Sequence, residues 1–290
     1  MKIANEWKEY KILDMADGQK LEKWGDIILV RPDPQIIWKE KSYPNKWKEI
    51  NATYHRSNQG GGSWEFKRKI PKSWQVHYKN LTFQIKPMGF KHTGLFPEQA
   101  VNWDWMINKI KTAKREIKVL NLFAYTGGAT VACLSAGASV CHVDSSKGMT
   151  TWAKENVIAS GLQDKPVRFI IDDVVKFVNR EIRRKNQYDA IIMDPPSYGR
   201  GAKGEVWQFE NHIYDLVMLC TQLLSNKPLF FLINSYTTGI SSTVLQNILR
   251  VTVDSKYKGR LECGEIGLPM ENSKMVLPCG IYGRWESEME

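Results

Sequence analysis

From residue 119 onward, apolar residues fall into short, nearly unbroken runs: Val119–Phe123, Ser139–Val143, Val167–Ile171, Ala190–Met193 and Leu229–Ile233. Such runs, without a polar residue at every second position, predict strands covered on both faces, as in a parallel sheet. Helical segments are predicted between them, near 128–136, 146–160, 174–186, 207–225 and 241–253. Strand and helix in regular alternation imply a doubly wound α/β architecture. Leu261–Ile266 and Lys274–Tyr282, separated by the polar turn Glu271-Asn-Ser273, predict a closing antiparallel pair. The sum is a mostly parallel sheet of seven strands.

The first ninety residues have a different rhythm. Gly25–Arg31 reads as a strand stopped by Pro32 and Pro34, and Gln35–Trp38 as another. Ser57–Ser63, rich in glycine, reads as a flexible loop or a wide hairpin. Residues 64–68 and 81–86 alternate apolar and polar positions, as half-buried antiparallel strands do. Pro87-Met-Gly-Phe90 breaks that pattern. The organisation expected is therefore a small β-rich domain over residues 1–88 and an α/β domain over 89–290.

Charge sharpens this division. The net charge is +10, and residues 1–90 carry 17 Lys and Arg against 10 Asp and Glu, with six of the eleven tryptophans. Cations interleaved with large aromatics suit a surface that holds phosphates and stacks on bases. Taken one at a time, the tryptophans are better explained as the core of a small β domain. The charge asymmetry still favours a polyanionic partner. No apolar run approaches the length of a membrane span, and the N-terminus lacks a signal-like apolar core. Five cysteines without a C-x-x-C pair imply reduced thiols in the cytoplasm and no zinc site.

The candidate chemistry lies at the carboxyl ends of the predicted parallel strands, where open α/β sheets bind ligands. The first strand ends at Asn121–Thr126, running into Phe123-Ala-Tyr-Thr-Gly-Gly128, and the second ends at Asp144-Ser145. The third ends at Asp172-Asp173, the fourth at Asp194-Pro-Pro-Ser-Tyr198, and the fifth at Asn234-Ser-Tyr236. A glycine turn followed some twenty residues later by an acid is the layout of a nucleotide-cofactor site, the acid accepting from ribose hydroxyls. The spacing is not G-x-G-x-x-G, so a pyrophosphate has no seat. A cofactor with a ribose and no phosphate, such as S-adenosylmethionine, fits better. A lone polar residue after a strand is as readily a helix N-cap, which applies to Asp172, Asp173 and Ser145.

Phe123–Gly128, Asp144, Asp172-Asp-Val174 and Asp194-Pro-Pro-Ser197 resemble the class I methyltransferases that modify large-subunit ribosomal RNA, the (cytosine-5) and (guanine-N7) enzymes. Lys91–Gln99 resembles the stretch that precedes the glycine turn there and helps close over the cofactor. The resemblance covers roughly residues 85–290. It implies a Rossmann-like methyltransferase sheet and S-adenosylmethionine as cofactor. Phe123, Ala124, Tyr125, Thr126, Gly127 and Gly128 would then line its methionine and ribose, with Thr93 and Gly94 contributing from upstream. Asp144 and Ser145 would take the ribose, Asp172 and Asp173 the adenine side. Asp194, Pro195, Pro196 and Asn234 would stand at the target base. A prolyl pair is stiff and can hold a base against a methyl group.

Methylation of a pyrimidine C5 needs a cysteine nucleophile. The loops after the fourth and fifth strands contain none, and Cys220 falls inside a predicted helix. A base nitrogen such as guanine N7 is the expected acceptor. Tyr198, Arg200 and Lys203 lie in a glycine-rich basic loop that either clamps substrate phosphate or is plain surface. Two other readings stay open: a methyltransferase of a small molecule or protein, and an RNA-binding relative without turnover.

Overall fold

The computed structural model describes residues 1–57, 61–200, 204 and 206–288. The chain divides into two compact units. One comprises residues 2–101 and 266–279, the other Met1, residues 102–265 and residues 280–290. The boundary expected at 88/89 falls inside the first of these. Among the described residues no helix is long and apolar enough to cross a membrane.

The second unit is the α/β body. Its strands are β1 (Lys118–Leu122), β2 (Ser139–Asp144), β3 (Val167–Ile171), β4 (Ala190–Met193), β5 (Phe230–Ser235), β6 (Gly259–Pro269) and β7 (Val276–Ser287). They stand in the order β6-β7-β5-β4-β1-β2-β3. β1 to β5 run parallel, and β7 is antiparallel to β5. The outer parts of β6 and β7 extend into the other unit, where Lys2–Ile3 pairs in parallel with Ile266 and Gly267 as an eighth strand.

The helices are α1 (Ala100–Thr112), α2 (Gly128–Ser135), α3 (Lys147–Ala159), α4 (Val174–Arg183), α5 (Phe209–Thr221) and α6 (Ser242–Leu249). Strand alternation sorts them. Leu120, Leu122, Val143, Ile191, Met193, Phe231 and Ile233 share one core cluster with Phe177 of α4, Phe209 and Ile213 of α5, and Leu245 of α6. The opposite face holds Asn121, His142, Phe230 and Asn234. Here α1 places Trp105 against Phe230 at 5.0 Å, and α2 bonds to Asn121 through Thr130. Helix α1 has no counterpart among the elements the sequence predicts. Helix α5 starts at Phe209 instead of residue 207 because Val206–Gln208 pairs with Tyr198–Arg200 as a small hairpin. After Leu249 the last helix loosens into a wider π turn over Arg250–Asp254.

The other unit holds a five-stranded sheet of Tyr10–Ala16, Gln19–Trp24, Ile27–Pro32, Ala52–Arg56 and Gly62–Phe66, and a hairpin of Trp74–Tyr78 with Leu81–Ile85. Gln35–Trp38 is not a strand. After Pro32 and Pro34 it lies irregularly along the Asp17-Gly18 turn, held by Gly18 N–H to the Ile36 carbonyl and Asp17 N–H to the Trp38 carbonyl. Inside the sheet Glu22 is fully buried and accepts from Arg31 Nε at 2.6 Å and Tyr10 Oη at 2.6 Å. Burial pushes the Glu22 carboxyl up, but the Arg31 and Lys20 cations beside it win and hold it at about 2.

The six tryptophans here are structural. Trp24 is wholly buried. The indole N–H groups of Trp7, Trp38, Trp64 and Trp74 donate to the carbonyls of Pro97, Met15, Met88 and Trp24, and that of Trp47 to Asp14. Lys67, Arg68, Lys69 and Lys72, in contrast to the buried Arg31, are all exposed beside the half-exposed Phe66.

Candidate active site

The register of the α/β body brings the strand ends together. Met193 of β4 pairs with Leu122 of β1 and Ile233 of β5, and Asp144 of β2 pairs with Ile171 of β3. The polar residues that follow these positions therefore emerge along one edge of the sheet.

The turn from β1 into α2 is strained. Phe123, Tyr125 and Gly127 have φ of +54°, +52° and +81°. Left-handed backbone costs an L-residue roughly 1–2 kcal/mol, and persists where surrounding contacts impose it. Those contacts are specific. Asp144 Oδ2 accepts from Tyr125 N–H at 2.8 Å, and Asn156 of α3 donates to the Thr126 carbonyl at 2.8 Å. Gly127 lies so close to α3 that an added Cβ would meet the Ala153 Cβ at 2.9 Å. Beneath the turn, Asn121 Nδ2 donates to Thr130 Oγ1 at 3.0 Å, and Thr130 Oγ1 lies 2.9 Å from His142 Nδ1. His142 is wholly buried, and burial drives its pKa down to about 3, so the ring is neutral. Asn121 is among the residues that the end of the first strand suggests, whereas Thr130 and His142 are not. A signal for them exists all the same, since polar residues interrupt two otherwise apolar strands.

Asp144 also accepts from Ser146 N–H through Oδ1 at 2.8 Å. Burial raises its pKa, against the pull of the Ser146 and Tyr125 amides. Each oxygen accepts one of these amide bonds, so acceptor capacity remains for a diol. Ser145 is exposed, and it is Ser146 whose hydroxyl caps α3, accepting from Met149 N–H. Asp173 caps α4 through Oδ1, accepting from Lys176 N–H at 2.9 Å. Asp172 accepts from the Asp173 amide and is paired with Arg180.

At the fourth strand, Asp194 is partly buried, Pro195 buried and Pro196 exposed. The Pro196 carbonyl accepts from Trp207 Nε1 at 2.7 Å, and Trp207 packs on Phe123 at 5.1 Å. Thr237 Oγ1 donates to Ser197 Oγ at 3.0 Å, tying the loop after β5 to the loop after β4. Tyr198 and Arg200 are exposed and bonded to each other, Nε to Oη at 2.9 Å. Lys203 lies outside the described residues. Asn234 is buried at the end of β5, and its Oδ1 accepts from Asn102 Nδ2 at 2.9 Å. Thr93 and Gly94 belong to the other unit. Thr93 is wholly buried, with no hydrogen-bond partner for its hydroxyl among the described residues.

A strained turn anchored by the acid of the next strand, with spare carboxylate capacity, fits a cofactor that presents a ribose diol. Sheet order and site together define a class I methyltransferase body. The S-adenosylmethionine-dependent methyltransferase family model matches residues 53–264, and the chain belongs to that family. Its cofactor is S-adenosylmethionine. A solved S-adenosylmethionine-dependent methyltransferase from Agrobacterium tumefaciens superposes with a TM-score of 0.93 at 35% identity, covering 99% of this chain and 93% of that one. The methyltransferase SMU.776, solved with S-adenosylhomocysteine, shares the fold at 17% identity, with a TM-score of 0.75 over 97% of this chain and 76% of that one. Among curated proteins, the ribosomal RNA large subunit methyltransferase K/L of a Shewanella species is 31% identical over 61% of this chain. That match spans 26% of the relative's own length.

Proposed function

We propose that the protein methylates RNA, within the large-subunit ribosomal RNA, at a base nitrogen such as guanine N7, by direct transfer. The observation that carries direct transfer is the state of the thiols. Neither loop after β4 or β5 contains a cysteine, and Cys133, Cys141 and Cys220 are buried in the body. Burial pushes every thiol up, Cys141 and Cys263 to about 11, which is the opposite of a poised thiolate. A guanine N7 lone pair needs no such help. It takes the methyl carbon as the carbon–sulfur pair returns to sulfur, leaving a cationic purine and a neutral thioether, with no proton to remove.

In this reading Phe123–Gly128 and Asp144 hold the methionine and ribose, with Thr93, Gly94 and Ser145 alongside. Asp172 and Asp173 take the adenine side, and Asp194, Pro195, Pro196 and Asn234 face the target base. Tyr198, Arg200 and Lys203 meet substrate phosphate, and the basic β-rich domain over residues 1–88 adds affinity for the polyanion. The name of the 31%-identical relatives supports ribosomal RNA as the substrate.

Mass spectrometry of nucleosides in ribosomal RNA from cells with and without the gene tests the reading. Loss of one methylated purine is expected; unchanged nucleosides contradict it. RNA carrying 5-fluorocytosine tests the chemistry. A stable protein–RNA adduct that disappears when one cysteine is replaced by serine overturns direct transfer.

A further inference from the structure

Asn234 is the end of a hydrogen-bond relay whose direction is dictated by chemistry. Arg284 of β7 is buried, its guanidinium lying 4.7 Å from the Trp105 ring and 4.6 Å from the Tyr282 ring. Both its Nε and Nη2 meet one oxygen, Asn102 Oδ1, at 3.0 and 2.6 Å. Arginine only donates, so the atom of Asn102 facing it has to be the amide oxygen. The Asn102 amide nitrogen therefore faces Asn234 and donates to it at 2.9 Å. The Asn234 atom receiving that bond has to be its oxygen. This removes the ambiguity that normally attends the two ends of a side-chain amide. Asn234 is left with Nδ2, two N–H donors and no acceptor, as the other end of its amide, and no partner for that nitrogen occurs among the described residues.

We infer that Arg284 and Asn102 are positioning residues that lock Asn234 as a hydrogen-bond donor, and that the donor selects a target base by an acceptor on the edge being methylated. Guanine offers O6 beside N7. Adenine and cytosine carry amino donors at the corresponding major-groove positions, N6 and N4, and meet the Asn234 amide donor to donor. A site whose buried polar group is left unpaired rejects the analogue far more strongly than a site that gives up apolar packing alone. The inference deepens the proposed function and rests on its reading that a nucleobase is the acceptor. It adds that selection is by the polarity of one amide, set from the far side of α1 and β7.

The test uses the full-length protein and the RNA it methylates, with 2,6-diaminopurine in place of the target guanine. This base keeps N7 but carries an amino donor where O6 was. Wild-type kcat/KM is expected to fall about tenfold or more on the substituted RNA, the effect of leaving a buried donor unpaired. Asn234→Asp presents an acceptor in the same shape and should lose that discrimination. Its cofactor Kd, measured on the folded variant, should stay at the wild-type value. Arg284→Lys, which still only donates, should keep the discrimination, and Asn102→Asp, which cannot donate to Asn234, should lose it. Equal wild-type rates on the two RNAs overturn the inference without any protein variant, so a variant that fails to fold does not protect it. Methylation of adenine or cytosine by the wild type overturns it while leaving RNA methylation standing. A wild type inactive on every RNA overturns the proposed function itself.

Discussion

Asp144 shows how much one carboxylate is asked to do. Two backbone amides hold it, one of them the N–H of left-handed Tyr125, so the same group that shapes the turn is the one proposed to take the ribose. Asp144→Ala should weaken S-adenosylmethionine binding by roughly 1.5–3 kcal/mol, the scale of hydrogen bonds to a charged group. Calorimetry on the folded variant measures this, and unchanged affinity removes Asp144 from the cofactor site. His142 makes a second prediction, this time for stability. Its ordinary pKa of 6.5 falls to about 3 in the fold because burial penalises the charged ring. Between those values the unfolded chain takes up a proton that the folded chain refuses. Its contribution to stability is complete above pH 6.5 and is lost as pH falls, by on the order of 1 kcal/mol per pH unit. His92 is depressed in the same direction, by burial and then by Arg31 and Lys91, so it adds to the slope. Urea midpoints measured from about pH 7 down to about pH 4 should decline less steeply in His142→Gln than in the wild type.

Among elements, the turn into α2 is the most constrained. Gly127 combines a φ of +81° with an approach that leaves no room for a Cβ beside Ala153 of α3. Gly128 has a right-handed backbone, but its added Cβ would come within 2.9 Å of the Trp103 ring of α1. Three helices thus converge on two glycines. Gly127→Ala has to move α3 or distort the turn, and should cost about 2 kcal/mol or more from left-handed strain and overpacking together. Thermal melts should show the loss. Cofactor titration should show a weaker Kd even well below the melting temperature, because the displaced turn carries the Tyr125 amide away from Asp144. A destabilised variant with wild-type cofactor affinity shows instead that these glycines serve packing alone.

At the scale of the whole molecule, the asymmetry of charge keeps its meaning where the tryptophans do not. The tryptophans of residues 1–90 are committed to hydrogen bonds and core within their own unit, which leaves the exposed cations as the feature that points to a polyanion. Those cations can still meet phosphates, above all Lys67, Arg68, Lys69 and Lys72. Replacing these four by Gln should weaken RNA binding uniformly across sequences. The slope of log K against log salt should become shallower by about 0.7–0.9 for each phosphate no longer neutralised. An unchanged slope places the electrostatic contacts elsewhere. Substitution is a cleaner probe than cutting the chain near residue 85. Residues 266–279 belong to the same unit as residues 2–101, and truncation strips them of their partners.

The amino-acid sequence by itself determined the parallel body and its strand ends. Continuous apolar runs bounded by Gly, Pro and Asp leave few alternatives to buried parallel strands, and the chemistry of an open sheet sits where those strands stop. The positions of the glycine turn, Asp144, the prolyl pair and Asn234 at those strand ends were legible for that reason. Helix α1 was less so, although Trp103, Met106 and Ile110 follow a helical spacing behind Pro97. Gln35–Trp38 looks like a strand locally, yet among the described residues it pairs with no neighbouring strand to complete a ladder. Tertiary structure alone decided the rest. Asn102, Asn234 and Arg284 are separated by 132 and 182 residues in the two links of their relay. Asn121, Thr130 and His142 meet only because β1, α2 and β2 stack. Periodicity reports which face a residue takes, and a directed hydrogen bond requires two faces to be brought within about 3 Å, which only packing of the whole chain achieves.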